Sequence, residues 1–154
     1  MRASGAVSAS LAALATLACR EPATPPARPL KEFPFATASS DCAPWDGPAV
    51  SVLLTPTAQS GESVAAPFLR VTLYDSRERV ARRTIRWPGD AEVGGASWCR
   101  ADDDCVAADS GAVRLEVLEG DSVLPGRLRL VFAGHAPLEG SFRAAWRPRV
   151  TRCG

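Results

Sequence analysis

The chain has 154 residues, 46% of them hydrophobic and 23% charged, which suits one domain with its own core and excludes a chain disordered along its whole length. Its 18 basic residues stand against 17 acidic ones, and loss of a leader containing Arg2 would bring the two to parity. A near-neutral protein lacks the long-range positive field that gathers phosphate backbones, so no nucleic-acid partner is expected.

Residues 1–18 read as a secretory signal peptide. Arg2 supplies a short charged start, and the uncharged stretch Ala3 to Ala18 ends in small residues. With only Val7, Leu11, Leu14 and Leu17 besides alanines, it is too short and too weak for a membrane span of about 20 strongly apolar residues. The stretch Ala15-Thr16-Leu17-Ala18-Cys19 resembles the lipobox of bacterial lipoproteins, although Thr16 stands where leucine is usual. The resemblance implies that Cys19 becomes a lipidated N-terminus and that the membrane is a partner through that lipid. Two or three acyl chains, at about 0.8 kcal/mol per buried methylene, exceed the marginal one-chain regime. Arg20 occupies the position where aspartate marks inner-membrane retention in some bacteria, so the expected location is the cell envelope, at the outer membrane.

Residues 19–40 carry Pro22, Pro25, Pro26, Pro29 and Pro34. Proline removes donors and keeps the backbone extended, so this segment is expected to be a tether between the lipid and a domain spanning 41–154. The competing reading is that Leu30, Phe33 and Phe35 already belong to the first strand.

Within 41–154, short runs alternate with period two between turn residues. Val50, Val52 and Leu54 form one such run, and Leu69, Val71 and Leu73 the next. Arg79 to Trp87 is less regular, because Val80 is out of phase with Ile85 and Trp87 and implies a bulge or a register change. Val113, Leu115 and Val117 then alternate against Arg114 and Glu116, Leu128, Leu130 and Phe132 against Arg127 and Arg129, and Phe142, Ala144 and Trp146 close the series. No window reads as a helix. The expected fold is all-β, an antiparallel β-sandwich or small barrel of about six or seven strands, stapled by disulfides. The closing stretch Leu138 to Trp146 also resembles the last hairpin of uncharacterised bacterial lipoproteins, which implies no activity.

Five cysteines are an odd number, and assigning Cys19 to lipid leaves Cys42, Cys99, Cys105 and Cys153 as an even set. Of the three possible pairings, the favoured one joins Cys99 to Cys105 and Cys42 to Cys153. Disulfides suit an exported protein. The spacing lacks the paired knuckles of a structural zinc site, and no metal or cofactor is expected.

Several motifs bear on chemistry. Asp109-Ser110-Gly111 resembles the catalytic turn of retropepsin-like aspartic proteases, small all-β homodimers in which two aspartates share a proton. Val113 and the poorly placed Phe132-Ala133-Gly134 depart from that pattern, and the competing reading is a tight turn before a strand. Gly61-Glu62-Ser63-Val64-Ala65 falls one glycine short of a nucleophile elbow, and His135, the single histidine, is the one imidazole available as a base. Asp102, Asp103 and Asp104, with Asp90 and Asp109, could offer oxygen to calcium, but without calcium-loop spacing they read as solvated charge. Trp45, Trp87, Trp98 and Trp146 would make a platform for a glycan if exposed together, and core if not. The expectation is a non-enzymatic envelope lipoprotein whose β domain has a binding or structural role, with an unidentified protein or glycan partner. A homodimeric aspartic protease and a glycan-binding module are the alternatives.

Overall fold

The computed structural model describes residues 25–59, 64–101, 103–149 and 152–153. Among these residues ten strands build one sheet: β1 Arg28–Pro29, β2 Phe35–Cys42, β3 Pro48–Thr55, β4 Phe68–Leu73, β5 Thr84–Trp87, β6 Gly94–Ala101, β7 Asp104–Ala107, β8 Ser110–Leu115, β9 Val123–Val131 and β10 Leu138–Trp146. Their order is β5-β8-β9-β10-β2-β3-β4-β6-β7, with β1 attached to β10. The protein is therefore all-β, but with more strands than the six or seven expected. Most pairs are antiparallel, whereas β10 runs parallel to β2 and to β1.

The expected alternation holds in β3, β4 and β9, where Val50, Val52, Leu54, Leu69, Val71, Leu73, Leu128 and Leu130 are all buried. With no layer of helices to cover it, a one-sided sheet must bury its apolar face against itself. It does so by curling. Leu115 and Val113 of β8 share one core with Val52 and Val71 of β3 and β4, although β9, β10 and β2 lie between β8 and β3 in the sheet. The sheet stays open, with β5 and β7 as its edges. The link from β7 to β8 crosses the opening: Ala108 N–H donates to Ala96 O of β6 and Asp109 N–H to Val131 O of β9, both at 2.9 Å. Nearby, Trp87 Nε1 of β5 donates to Gly94 O at 2.6 Å.

Three details depart from the sequence pattern. The proline-rich segment is not a free spacer up to Ser40. Arg28 N–H donates to Pro137 O, Leu30 and Phe33 enter the core, and β2 starts at Phe35. Enough apolar residues lie between the prolines to repay ordering them. Val80 avoids a bulge because residues Arg77–Val80 form a single helical turn, which buries Val80 while β5 begins only at Thr84. Val117 lies beyond the end of β8 and is exposed, so its phase is not used.

Close approach explains one glycine. Gly126 faces inward on β9 directly opposite Phe142, and a Cβ there would lie 2.4 Å from the Phe142 ring. The ring occupies the space that the missing side chain leaves.

Two disulfides join the cysteines, Cys42 to Cys153 and Cys99 to Cys105. Cys99 and Cys105 stand opposite one another in the β6–β7 hairpin. Cys42 ends β2, so its bond to Cys153 ties the segment after β10 back to the sheet. Among the described residues no helix is long and apolar enough to cross a membrane, and the disulfides suit an oxidising, extracytoplasmic compartment.

The separations of 111 and 6 residues make the two bonds unequal. Closure entropy assigns about 4–5 kcal/mol to the long loop and about 2 kcal/mol to the short one. Urea unfolding of the Cys42→Ser/Cys153→Ser and Cys99→Ser/Cys105→Ser double variants is expected to show the first losing roughly twice the stability of the second.

Candidate functional site

The sequence-marked residues do not converge. Cys19 and Ser63 lie outside the described residues, as does Asp102. Asp109 is exposed just before β8, and its backbone, not its carboxylate, makes its hydrogen bond. Gly111 is required for a different reason from catalysis: a Cβ there would lie 2.3 Å from Arg129 O, so only glycine lets β8 approach β9 so closely. His135 is half-buried, with its ring edge-on to Trp98 at 5.0 Å. Asp104 pairs with Arg100 at 2.8 Å, and Asp90 accepts the Arg86 backbone N–H. Among the described residues no three His, Cys, Asp or Glu side chains stand where they could hold a metal ion.

The tryptophans are dispersed. Trp87 is buried, Trp45 is exposed and edge-on to Tyr74, and Trp146 lies under the Arg77 guanidinium. Trp98 contacts Phe132 and His135 and carries Arg28 over its ring at 5.6 Å. Its Nε1 is buried with no hydrogen-bond partner among the described residues. No shared aromatic platform results.

What the topology does bring together is arginine. On the outer face of β5, β8, β9 and β10, one cross-strand row reads Thr84, Arg114, Arg127, Ser141, and the next reads Arg86, Ala112, Arg129, Glu139. These rows line a recess of about 410 Å³. Ala112 is the small residue at its centre. Arg86 and Arg129 flank it across the strands, Arg114 follows it two residues along β8, and Arg127 stands on the diagonal.

Two carboxylates offset part of this charge. Glu116 accepts from Arg114 Nε at 2.8 Å, and Glu139 pairs with Arg129 at 3.2 Å. Arg86 and Arg127 have no carboxylate partner among the described residues. The Glu116 carboxyl is held below its ordinary pKa chiefly by the Arg114 hydrogen bond; desolvation opposes this, and the charges of Arg114, Arg127 and Arg82 add to it.

Period-two alternation places Arg114, Arg127 and Arg129 on outward faces without joining them. The missing information was which strands are neighbours: β5 reaches β8 across 22 intervening residues.

No protein family model, curated protein or solved structure matches the chain.

Two outcomes check this account. Asp109→Asn is expected to leave the fold intact and stability within about ±0.5 kcal/mol, as at other exposed positions, by thermal and urea unfolding. Because the folded-state pKa of Glu116 is lowered, the ionised form is favoured by folding, and this contribution is lost as pH falls through that lowered value. In an NMR titration the Glu116 carboxyl should have its midpoint below that of an ordinary glutamate, and Arg114→Ala should move it upward.

Proposed function

We propose that the chain is a lipid-anchored bacterial envelope protein, held at the outer membrane through Cys19, whose β domain binds a ligand rather than catalysing a reaction. One observation carries the reading. The two disulfides use Cys42, Cys99, Cys105 and Cys153, so the odd cysteine of the five is Cys19, which ends the lipobox-like stretch. Disulfide formation and lipidation both follow export, so one route through the inner membrane accounts for all five cysteines.

The start of the folded domain agrees with this arrangement. Among the described residues Arg28 is the first in the sheet, and Pro22, Pro25 and Pro26 stand in sequence between it and Cys19.

Binding is supported over catalysis by the surroundings of the groups that could have been catalytic. The Asp109 side chain is solvated at a strand start, and the His135 ring is packed against Trp98. The feature that the fold does assemble, the arginine recess, offers hydrogen-bond donors and charge.

Expression of Cys19→Ser in a bacterial host is the test of the anchor. The variant should move from the membrane fraction to the soluble envelope fraction and lose incorporation of a fatty-acid analogue. A wild-type chain that takes up no label and is cleaved at another residue would overturn the reading.

A further inference from the structure

The geometry points to the arginine recess as a binding site for a polyvalent oxyanion of phosphate type, held by Arg86, Arg114, Arg127 and Arg129 above Ala112. This deepens the binding-domain reading and rests on it.

The first observation is a pair of like charges. Arg114 and Arg127 stand directly opposite on neighbouring strands, where positions are about 4.5–5.5 Å apart and two equal charges destabilise the sheet. Arg127 and Arg129 follow on the same face of β9, about 7 Å apart along the strand. Four guanidinium groups thus rise from a patch two residue rows deep and three strands wide. A sheet that keeps such an arrangement gains stability when an anion occupies it.

Shape supplies the second observation. Ala112 is bordered on both neighbouring strands and, two residues along its own, by arginines, so its small side chain leaves the recess open between longer ones. Thr84 and Ser141 stand at the two ends of the adjoining row and add hydroxyl donors.

The number of donors selects the class of ligand. Each guanidinium presents five N–H donors in a planar fork, and a single carboxylate takes only two of them even when the pairing is bidentate. Glu116 accepts from Nε of Arg114 and Glu139 lies 3.2 Å from Nε of Arg129. Arg86 and Arg127 remain, together with the unused donors of the other two. A phosphate group with three terminal oxygens and a charge near −2 can accept from several forks at once. A chain of linked phosphates can also reach both residue rows.

Neutral glycans and single-stranded nucleic acids rely on aromatic surfaces for stacking. Among the described residues the recess has no aromatic side chain in its lining. The balanced charge of the remaining protein also gives a long nucleic acid no extended track beyond the patch.

The test uses the full chain carrying Cys19→Ser, exported and oxidised, titrated with tripolyphosphate by calorimetry at low and at physiological salt. Saturable one-site binding is expected, weaker at higher salt. Arg127→Ala and Arg129→Ala should each lower affinity roughly tenfold, the usual scale for loss of one charge-assisted contact. Arg127→Lys should recover only part of it, because the charge returns without the fork. Ala112→Glu should abolish binding by placing a carboxylate at the centre. Arg70→Ala should change nothing, since Arg70 lies on β4 over the Phe68 ring. Unfolding midpoints establish that each variant is folded.

Absence of saturable binding at millimolar tripolyphosphate would overturn the assignment. So would unchanged affinity in folded Arg127→Ala and Ala112→Glu. Tighter binding to an oligonucleotide or to phosphatidylglycerol vesicles than to tripolyphosphate would also overturn it, in favour of a nucleic-acid or membrane surface. Fatty-acid labelling of Cys19 reads the anchor independently, so either conclusion can fail without the other.

Discussion

A sheet without a covering layer has only its own inner face to pack against, and this single constraint organises the protein. Leu54, Leu69, Leu73, Leu124, Leu130 and Phe132 are almost wholly removed from water in one core. At roughly 1.5–3 kcal/mol for each large apolar side chain buried, the core is the main source of stability against the entropy of ordering the chain. Ten strands bent round one core need close backbone approaches. Gly126 beneath Phe142 and Gly111 beside Arg129 O provide two of them.

The curl brings the two ends of the sheet near one another, and the chain uses that proximity without closing the ladder. Ala108 and Asp109 bond to strands on opposite sides of the opening, while Trp98 of β6 packs edge-on against Phe132 just after β9. The disulfides act at other points. One fastens the β6–β7 edge hairpin, and the other holds the C-terminal segment to the end of β2. Edge strands expose unpaired backbone groups that invite unwanted pairing. The short β7, clipped to β6 through Cys105 and Cys99, offers little of such an edge.

The same bending that fills the inner face gathers charge on the outer one. Period two sends Arg114, Arg127 and Arg129 outward because Val113, Leu115, Leu128 and Leu130 go inward. Pairing of β5 with β8 then adds Arg86 to the same patch. The recess is thus a by-product of packing in its position but not in its composition, since many polar residues would serve equally well on a solvated face. A concentration of guanidinium groups around one alanine is a chemical choice that core packing does not impose.

The alternation of apolar residues was enough to define the all-β class, the inward faces of β3, β4, β8, β9 and β10, and the availability of four cysteines for pairing, because each of these depends on neighbours close in sequence or on simple number. The lipobox-like stretch at Cys19 is likewise a local pattern. Strand count, the parallel pairing of β10 with β2, and the inclusion of Arg28–Pro29 and of residues 35–40 in the sheet were decided only in three dimensions. The spacing of Leu30, Phe33 and Phe35 among prolines leaves a tether and a first strand equally open, and Leu30 gains its buried place only where Gly140 leaves room for it against β10. The arginine recess was equally hidden. Its members come from three strands spread over residues 84–131, and a sequence can say that each points outward but not that they point out side by side, because strand order is set by long-range hydrogen bonding and by the burial of the opposite face.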